Sequence, residues 1–166
     1  STGEVLGLSP SYGEAFFKAQ EAAQSKLPLE GTVLISVNDK DKDEVIEAAR
    51  SFAEDGFQIV ATGGTYDLIA AAGIPAVKVK KLYEGRPNIG DMITNGDIHL
   101  VLNSPIGKDG IHDDSYLRKA AIKAKVPYFT TVAAARVTAE GIHYVKTHKG
   151  NELKSLQELH SEIHEK

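Results

Sequence analysis

Apolar positions in this chain fall into short unbroken runs, and between the runs they recur every three or four residues. That alternation is the pattern of buried strands separated by amphipathic helices. The runs are residues 32–37, 57–60, 76–79, 99–103 and 128–131. The runs at 32–37 and 57–60 read as buried strands, and the other three as further strands, that at 76–79 a short one. Between the first two, Val45, Ile46, Ala49, Phe52 and Ala53 share one helical face, with Asn38 or Asp39 as the cap and Gly56 as the stop. Residues 66–72 continue as a helix closed by Gly73, and a short helix ends near Asn95-Gly96. Asp114 or Ser115 caps a helix through Lys125, after a glycine-containing loop at 104–114, and residues 132–139 make another. Beyond Gly141 the pattern predicts a loose polar segment at 143–151 and a last helix at 153–163. Strands alternating with helices in this way give a three-layer α/β fold, a mostly parallel sheet with helices on both faces.

One stretch stands outside this scheme. Residues 12–23 form a short amphipathic helix with Phe16, Ala19 and Ala23 on one side, yet no core of their own. The pair Phe16-Phe17 must be covered by the main domain or by another part of a larger protein. The expected division is therefore 1–27 as a leading segment, 28–31 as a linker and 32–166 as the domain proper.

Composition narrows the functional classes. A chain of 166 residues, 42% hydrophobic and 25% charged, is ordinary for one globular domain. A net charge of -4 excludes general attraction to polyanions, so nucleic acid is not an expected partner and any phosphate site must be a local cluster of positive charge. No cysteine is present, hence no disulfide or thiolate chemistry, and no apolar run is long enough for a membrane helix. A cytoplasmic location is expected. The sequence begins without Met and without a signal-peptide pattern, so it reads as a processed product or an excised fragment.

Candidate chemistry gathers at the ends of the strands. After the second run, Ala61-Thr62-Gly63-Gly64-Thr65 leads directly into a helix. A strand, a glycine turn and a helix place free amides where an anion can approach, and Thr62 and Thr65 add hydroxyls. The same glycines also serve a plain turn. Lys80 and Lys81, Asn103 with the loop after it, and Thr130 with Thr131 belong to the same carboxyl edge, where ligands of such folds bind. Lys42 opens the first domain helix at that edge; a lysine there opposes the helix dipole and gains most beside an anion, although a solvated surface lysine is the plainer reading. No Ser-His-Asp signature, P-loop or complete dinucleotide fingerprint is present. His112-Asp113-Asp114 reads as a cap with a surface imidazole rather than an acid–base set. His160 and His164 have the spacing of a helical metal pair with no third ligand, and no metal site is expected.

The pieces Ser1-Thr2-Gly3-Glu4-Val5, Ala61-Thr62-Gly63-Gly64-Thr65 and Glu84-Gly85-Arg86-Pro87, in this order, resemble the methylglyoxal-synthase-like domain at the carboxyl end of the carbamoyl-phosphate synthase large chain. The tail from Ser155 to His160 is similar to that family's ending. The resemblance implies a Rossmann-like, methylglyoxal-synthase-like fold, with residues 1–27 as the close of a preceding synthetase (ATP-grasp) unit. It implies an allosteric domain that binds UMP or IMP and regulates carbamoyl phosphate synthesis for pyrimidine and arginine pathways. Carried over by motif, the effector site is Lys42, Thr62, Gly63, Gly64, Thr65, Lys81, Asn103, Ser104 and Lys108, with the 104–108 loop closing over the phosphate.

Three departures bear on function. Pro105 stands where a threonine would supply a phosphate donor. Tyr128, Thr130 and Thr131 match a Tyr-Asp-Thr-Thr run on the family's ornithine side, but Phe129 replaces its acidic residue. Arg86 falls where the related methylglyoxal synthase carries its catalytic aspartate, and a guanidinium cannot act as that base. No catalytic residue and no cofactor is therefore expected in this domain; ATP with Mg or Mn belongs to the parent enzyme. The implied partners are the synthetase units of the same large chain, the glutaminase small chain and further copies of the domain. A free-standing phosphate lyase and an oligomerisation module without ligand are the alternatives.

Overall fold

The computed structural model describes residues 4–38, 41–104, 107–148, 157, 160 and 161. Its elements are α1 (Tyr12–Ala22), β1 (Thr32–Ser36), α2 (Lys42–Glu54), β2 (Gln58–Thr62), α3 (Gly63–Ala71), β3 (Val77–Val79), a 3-10 turn (Leu82–Glu84), α4 (Ile89–Asn95), β4 (Leu100–Asn103), α5 (Gly107–Ala124), β5 (Tyr128–Phe129) and α6 (Val132–Thr147). The five strands form one sheet in the order β3-β2-β1-β4-β5, and every pairing is parallel. The central register sets Ile35 beside both Ala61 and Leu102.

Strand alternation divides the core into two layers. Val33, Ile35, Ile59, Leu100 and Leu102 face α1, α2, α3 and α6, where Phe17, Phe52, Ile69, Ala135 and Ile142 complete one apolar cluster. Leu34, Val60 and Val101 face the other way, onto Ile89 and Ile93 of α4 and Leu117 and Ala121 of α5. The chain thus adds strands outward from β1 to β3 and returns to the other side at β4. The direction reverses between β1 and β4, the place where ligands of doubly wound sheets settle.

Four local expectations need correction. The helix predicted to end at Ala139 runs on to Thr147, because Gly141 is a contact residue rather than a stop: a Cβ there would lie 2.4 Å from the carbonyl oxygen of Gly13. The predicted loop at 104–114 is helical from Gly107, so Asp114 lies inside α5 and caps nothing. The N-cap of α2 is Asp41, whose own amide is accepted by Asn38 Oδ1 at 3.2 Å; Asp39 lies outside the described residues. The fifth strand contains only two residues, since Thr131 already caps α6 by accepting from Ala134 N–H at 3.2 Å.

The cover for Phe16 and Phe17, left open by the sequence, is supplied by the domain itself. Phe17 is 2% exposed in the main core, and Phe16 meets Phe129 with ring centroids 6.4 Å apart. Of the last helix expected at 153–163, residues 157, 160 and 161 are described and helical; the rest, His164 included, lie outside the described residues.

Candidate functional site

The carboxyl edge is polar and densely hydrogen-bonded, and its geometry assigns several predicted ligands a second task. Thr62, 1% exposed, bonds Ser36 across the β1–β2 pair at 2.7 Å between hydroxyls. Thr65, 3% exposed, accepts from the N–H of Val37 at 3.1 Å and donates to its carbonyl at 3.3 Å. Sequence reading treats both threonines as donors to an anion; here their hydroxyls lock the start of α3 against the end of β1. The two bonds satisfy Val37 just where the ladder stops, which a buried backbone requires.

What faces outward from that turn is backbone. Gly63 has φ +40°, in the left-handed region, and a Cβ placed on it meets no described atom, so the angle rather than space demands glycine. Gly64 is exposed, and Thr62 makes no side-chain cap to the first turn of α3. The start of this nine-residue helix thus carries backbone donors with no side-chain cap, at an edge next to the switch point.

Two side-chain clusters flank the β1–β4 reversal. In the first, Asn38 Nδ2 donates to Asp41 Oδ2 at 2.8 Å and to Ser104 Oγ at 2.6 Å, and the Ser104 hydroxyl donates to the same Asp41 oxygen. Ser104 also extends the ladder, its N–H reaching the carbonyl of Ser36 at 2.9 Å. In the second, Asn103 Nδ2 donates to Tyr128 Oη at 2.8 Å and to Asp114 Oδ1 at 3.1 Å, while the Tyr128 hydroxyl donates to Asp114 Oδ1 at 2.7 Å. Arg118 closes that cluster, 2.7 Å from Asp114 Oδ2 and 5.7 Å from the centre of the Tyr128 ring. Burial, reinforced by the bond and charge of Asp114, pushes the Tyr128 phenol well above its ordinary value, so it is a neutral donor at any physiological pH.

Sequence reasoning named Asn103, Ser104 and Tyr128 but not Ser36, Asn38, Asp41, Asp114 or Arg118 as their partners. Ser36 and Asn38 were within reach of a simple rule, being polar residues at or just past the end of an apolar strand. Asp114 and Arg118 were hidden because their helix was expected to start later; four residues apart, they share a helix face.

The remaining candidates are placed as follows. Lys81 is half-buried, its N–H bonded to Glu84 Oε2 at 2.8 Å and its ammonium 5.9 Å from the Tyr83 ring centre; it follows β3, whose Val79 pairs with Thr62. Lys80 is exposed beside it. The backbones of Lys42 and Lys108 lie in the first turns of α2 and α5, but their side chains lie outside the described residues, as do Pro105 and the side chains of His112 and Asp113. Thr130 is exposed and Thr131 is used as the α6 cap. Arg86 is 80% exposed and pairs with Asp91 at 3.4 Å. Among the described residues no group of His, Asp or Glu is arranged to hold a metal ion, and no helix is long and apolar enough to cross a membrane.

A five-stranded parallel sheet that reverses at its centre, with its polar side chains gathered at the carboxyl edge, places the chain in the doubly wound α/β class. The family model described as the MGS-like domain matches residues 44–130, and the chain belongs to that family. It is 43% identical over 98% of its length to the carbamoyl phosphate synthase large chain of Methanothrix thermoacetophila, of which it covers 15%. It is 44% identical over 97% of its length to the C-terminal section of that large chain in Aquifex aeolicus, covering 31%. The chain thus spans less than a third of these curated relatives. The crystal structure of methylglyoxal synthase from Elizabethkingia anophelis superposes with TM-score 0.56 over 78% of this chain and 97% of that one, at 19% identity, a likeness of fold.

Proposed function

We propose that this chain is the effector-binding domain of a carbamoyl phosphate synthase large chain and that its carboxyl edge binds a nucleotide monophosphate, UMP or IMP. The observation that carries the reading is the start of α3: Gly63 and Gly64 open the helix without a side-chain cap at the carboxyl edge, while Thr62 and Thr65 tie that turn to the end of β1. The phosphate sits on those amides, with Lys81 and Lys42 supplying charge and the Ser104–Lys108 stretch at its side. Asn103 orients the rest of the ligand. Such a site is preorganised, because the hydroxyls that shape it are already bonded.

The domain works by unequal affinity for two arrangements of the parent enzyme, a coupling typically of about 1–3 kcal/mol. Its partners are then the synthetase units of the same chain, through them the glutaminase small chain, and other copies of the domain. The setting is cytoplasmic, and the regulated product feeds pyrimidine and arginine synthesis. ATP and its metal belong to the synthetase units. Ornithine is a poorer fit: the Tyr128 hydroxyl is taken by Asn103 and Asp114, and Phe129 turns an apolar ring toward Phe16.

Calorimetric titration of the chain with UMP and with IMP tests the proposal, with triose phosphate as control and an assay for methylglyoxal alongside. Saturable nucleotide binding without turnover is expected. Turnover of triose phosphate would replace the effector reading with a lyase, and absence of nucleotide binding would remove it.

A further inference from the structure

The two residues of β5 face opposite layers of the protein. Tyr128 packs with the α4–α5 cluster and Phe129 with the α1–α6 cluster, as neighbours on a strand must. On one side the Tyr128 hydroxyl is fixed by Asn103 and Asp114 at the carboxyl edge. On the other, the Phe129 ring meets Phe16 of α1 at 6.4 Å, tilted by 48°. The edge cluster and α1 are therefore joined through two consecutive residues.

Mechanics favour movement at this point. β5 is an edge strand, paired only with β4 and only at Val101↔Tyr128 and Leu102↔Phe129. A strand held by so short a ladder shifts at lower cost than the five-residue strands at the centre. What lies at its far end is firm: Phe17 is buried beside Phe16, Gly13 and Gly141 pack α1 onto α6, and Thr131 caps α6 immediately after β5. A displacement of β5 is thus passed to the α1–α6 pair rather than absorbed in a loop.

We propose that β5 is a transmission element: a ligand engaging Asn103 resets the Asn103–Tyr128–Asp114 cluster, and the shift reaches α1 through Phe129 and Phe16. The inference rests on the effector reading of the carboxyl edge. It also gives Phe129 a role that an acidic residue at this position could not fill, since a carboxylate would not pack against the Phe16 ring.

Hydrogen exchange on the 166-residue chain tests it, and the first arm needs no ligand. Tyr128→Phe removes the hydroxyl and with it the bonds from β5 to Asn103 and Asp114, which stay joined to each other. It is expected to change the exchange rates of the α1 amides by about threefold or more, and Phe129→Leu in the same chain is expected to cancel that change. Phe16→Leu should cancel it equally, with thermal melting to verify that each variant folds. A response to Tyr128→Phe confined to β4 and α5, with α1 unmoved, overturns the proposal. In the second arm, UMP or IMP should alter α1 exchange in the parent chain, while Phe129→Leu binds nucleotide with unchanged affinity and shows no α1 response; an α1 response that persists in Phe129→Leu overturns transmission. Failure of nucleotide to bind would sink the effector reading alone, because the Tyr128→Phe arm decides the transmission independently.

Discussion

Gly13 on α1 and Gly141 on α6 meet backbone to backbone. A Cβ on Gly141 would stand 2.4 Å from the carbonyl oxygen of Gly13, and one on Gly13 would stand 2.8 Å from the amide nitrogen of Gly141. This contact sets the leading helix directly against α6.

Gly141→Ala is therefore expected to destabilise. In an uncrowded helix the same change stabilises by about 0.5–1 kcal/mol, since glycine is the poorer helix former. Here the methyl meets backbone that cannot rotate away, and overpacking of this kind costs about 1–3 kcal/mol. Urea denaturation reads the sign: a midpoint lowered in Gly141→Ala fits the contact, and a raised midpoint means that α1 does not sit against α6 in solution.

Thr65→Val isolates the hydroxyl that joins α3 to β1. The substitution keeps the shape of the side chain but leaves the N–H of Val37 without its 3.1 Å partner in a buried place. A loss of about 1–3 kcal/mol is expected, with Thr65→Ser retaining most of the stability. Denaturant titration of the two variants side by side checks it; a loss in Thr65→Ser as large as or larger than that in Thr65→Val would mean that the hydroxyl is not the dominant group.

These two positions show what the sequence made legible and what it hid. The three central strand runs could be read because buried parallel strands are continuously apolar, and the glycines at 56, 73 and 96 mark real helix ends, each with positive φ. Gly141 follows a periodic helical run in the same way yet serves a contact seen only in three dimensions, so the helix appeared to stop there. Thr62 and Thr65 were legible as edge residues, but whether a hydroxyl points at a ligand or at the neighbouring strand depends on register. Asp114 was misplaced for a similar reason: Asp and Ser are good caps in general, and nothing local reveals that Asn103 and Tyr128, far apart in sequence, converge on that carboxylate.

Lys81→Ala tests the charge of the proposed site. The side chain is half-buried, its ammonium rests near the Tyr83 ring, and the described residues give it no carboxylate partner, so its removal leaves no buried charge uncompensated. Stability should change by under about 0.5 kcal/mol, as for an ordinary surface substitution. A lost charge-assisted bond to phosphate is worth about 1.5–3 kcal/mol, which is at least a tenfold weaker nucleotide affinity. Calorimetry on the variant decides; undiminished affinity would place the phosphate away from β3.

Glu14 predicts how the leading helix responds to acid. Its side chain is nearly buried on α1, and burial by itself raises the carboxyl. The bonds from Lys18 at 2.8 Å, Ser9 and Tyr144, with the Lys18 charge, outweigh that and hold it below its ordinary value. A carboxyl whose folded pKa is the lower one adds stability that is fully present above its unfolded value, about 4.3, and is lost as pH falls through the folded value. Melting temperatures taken from pH 7 down to pH 3 should therefore separate the parent chain from Glu14→Gln most at neutral pH and bring the two together as Glu14 takes up its proton. A gap that stays constant over the whole series would show that the carboxylate charge does not hold α1, and that the glycine contact and Phe17 secure the helix without it.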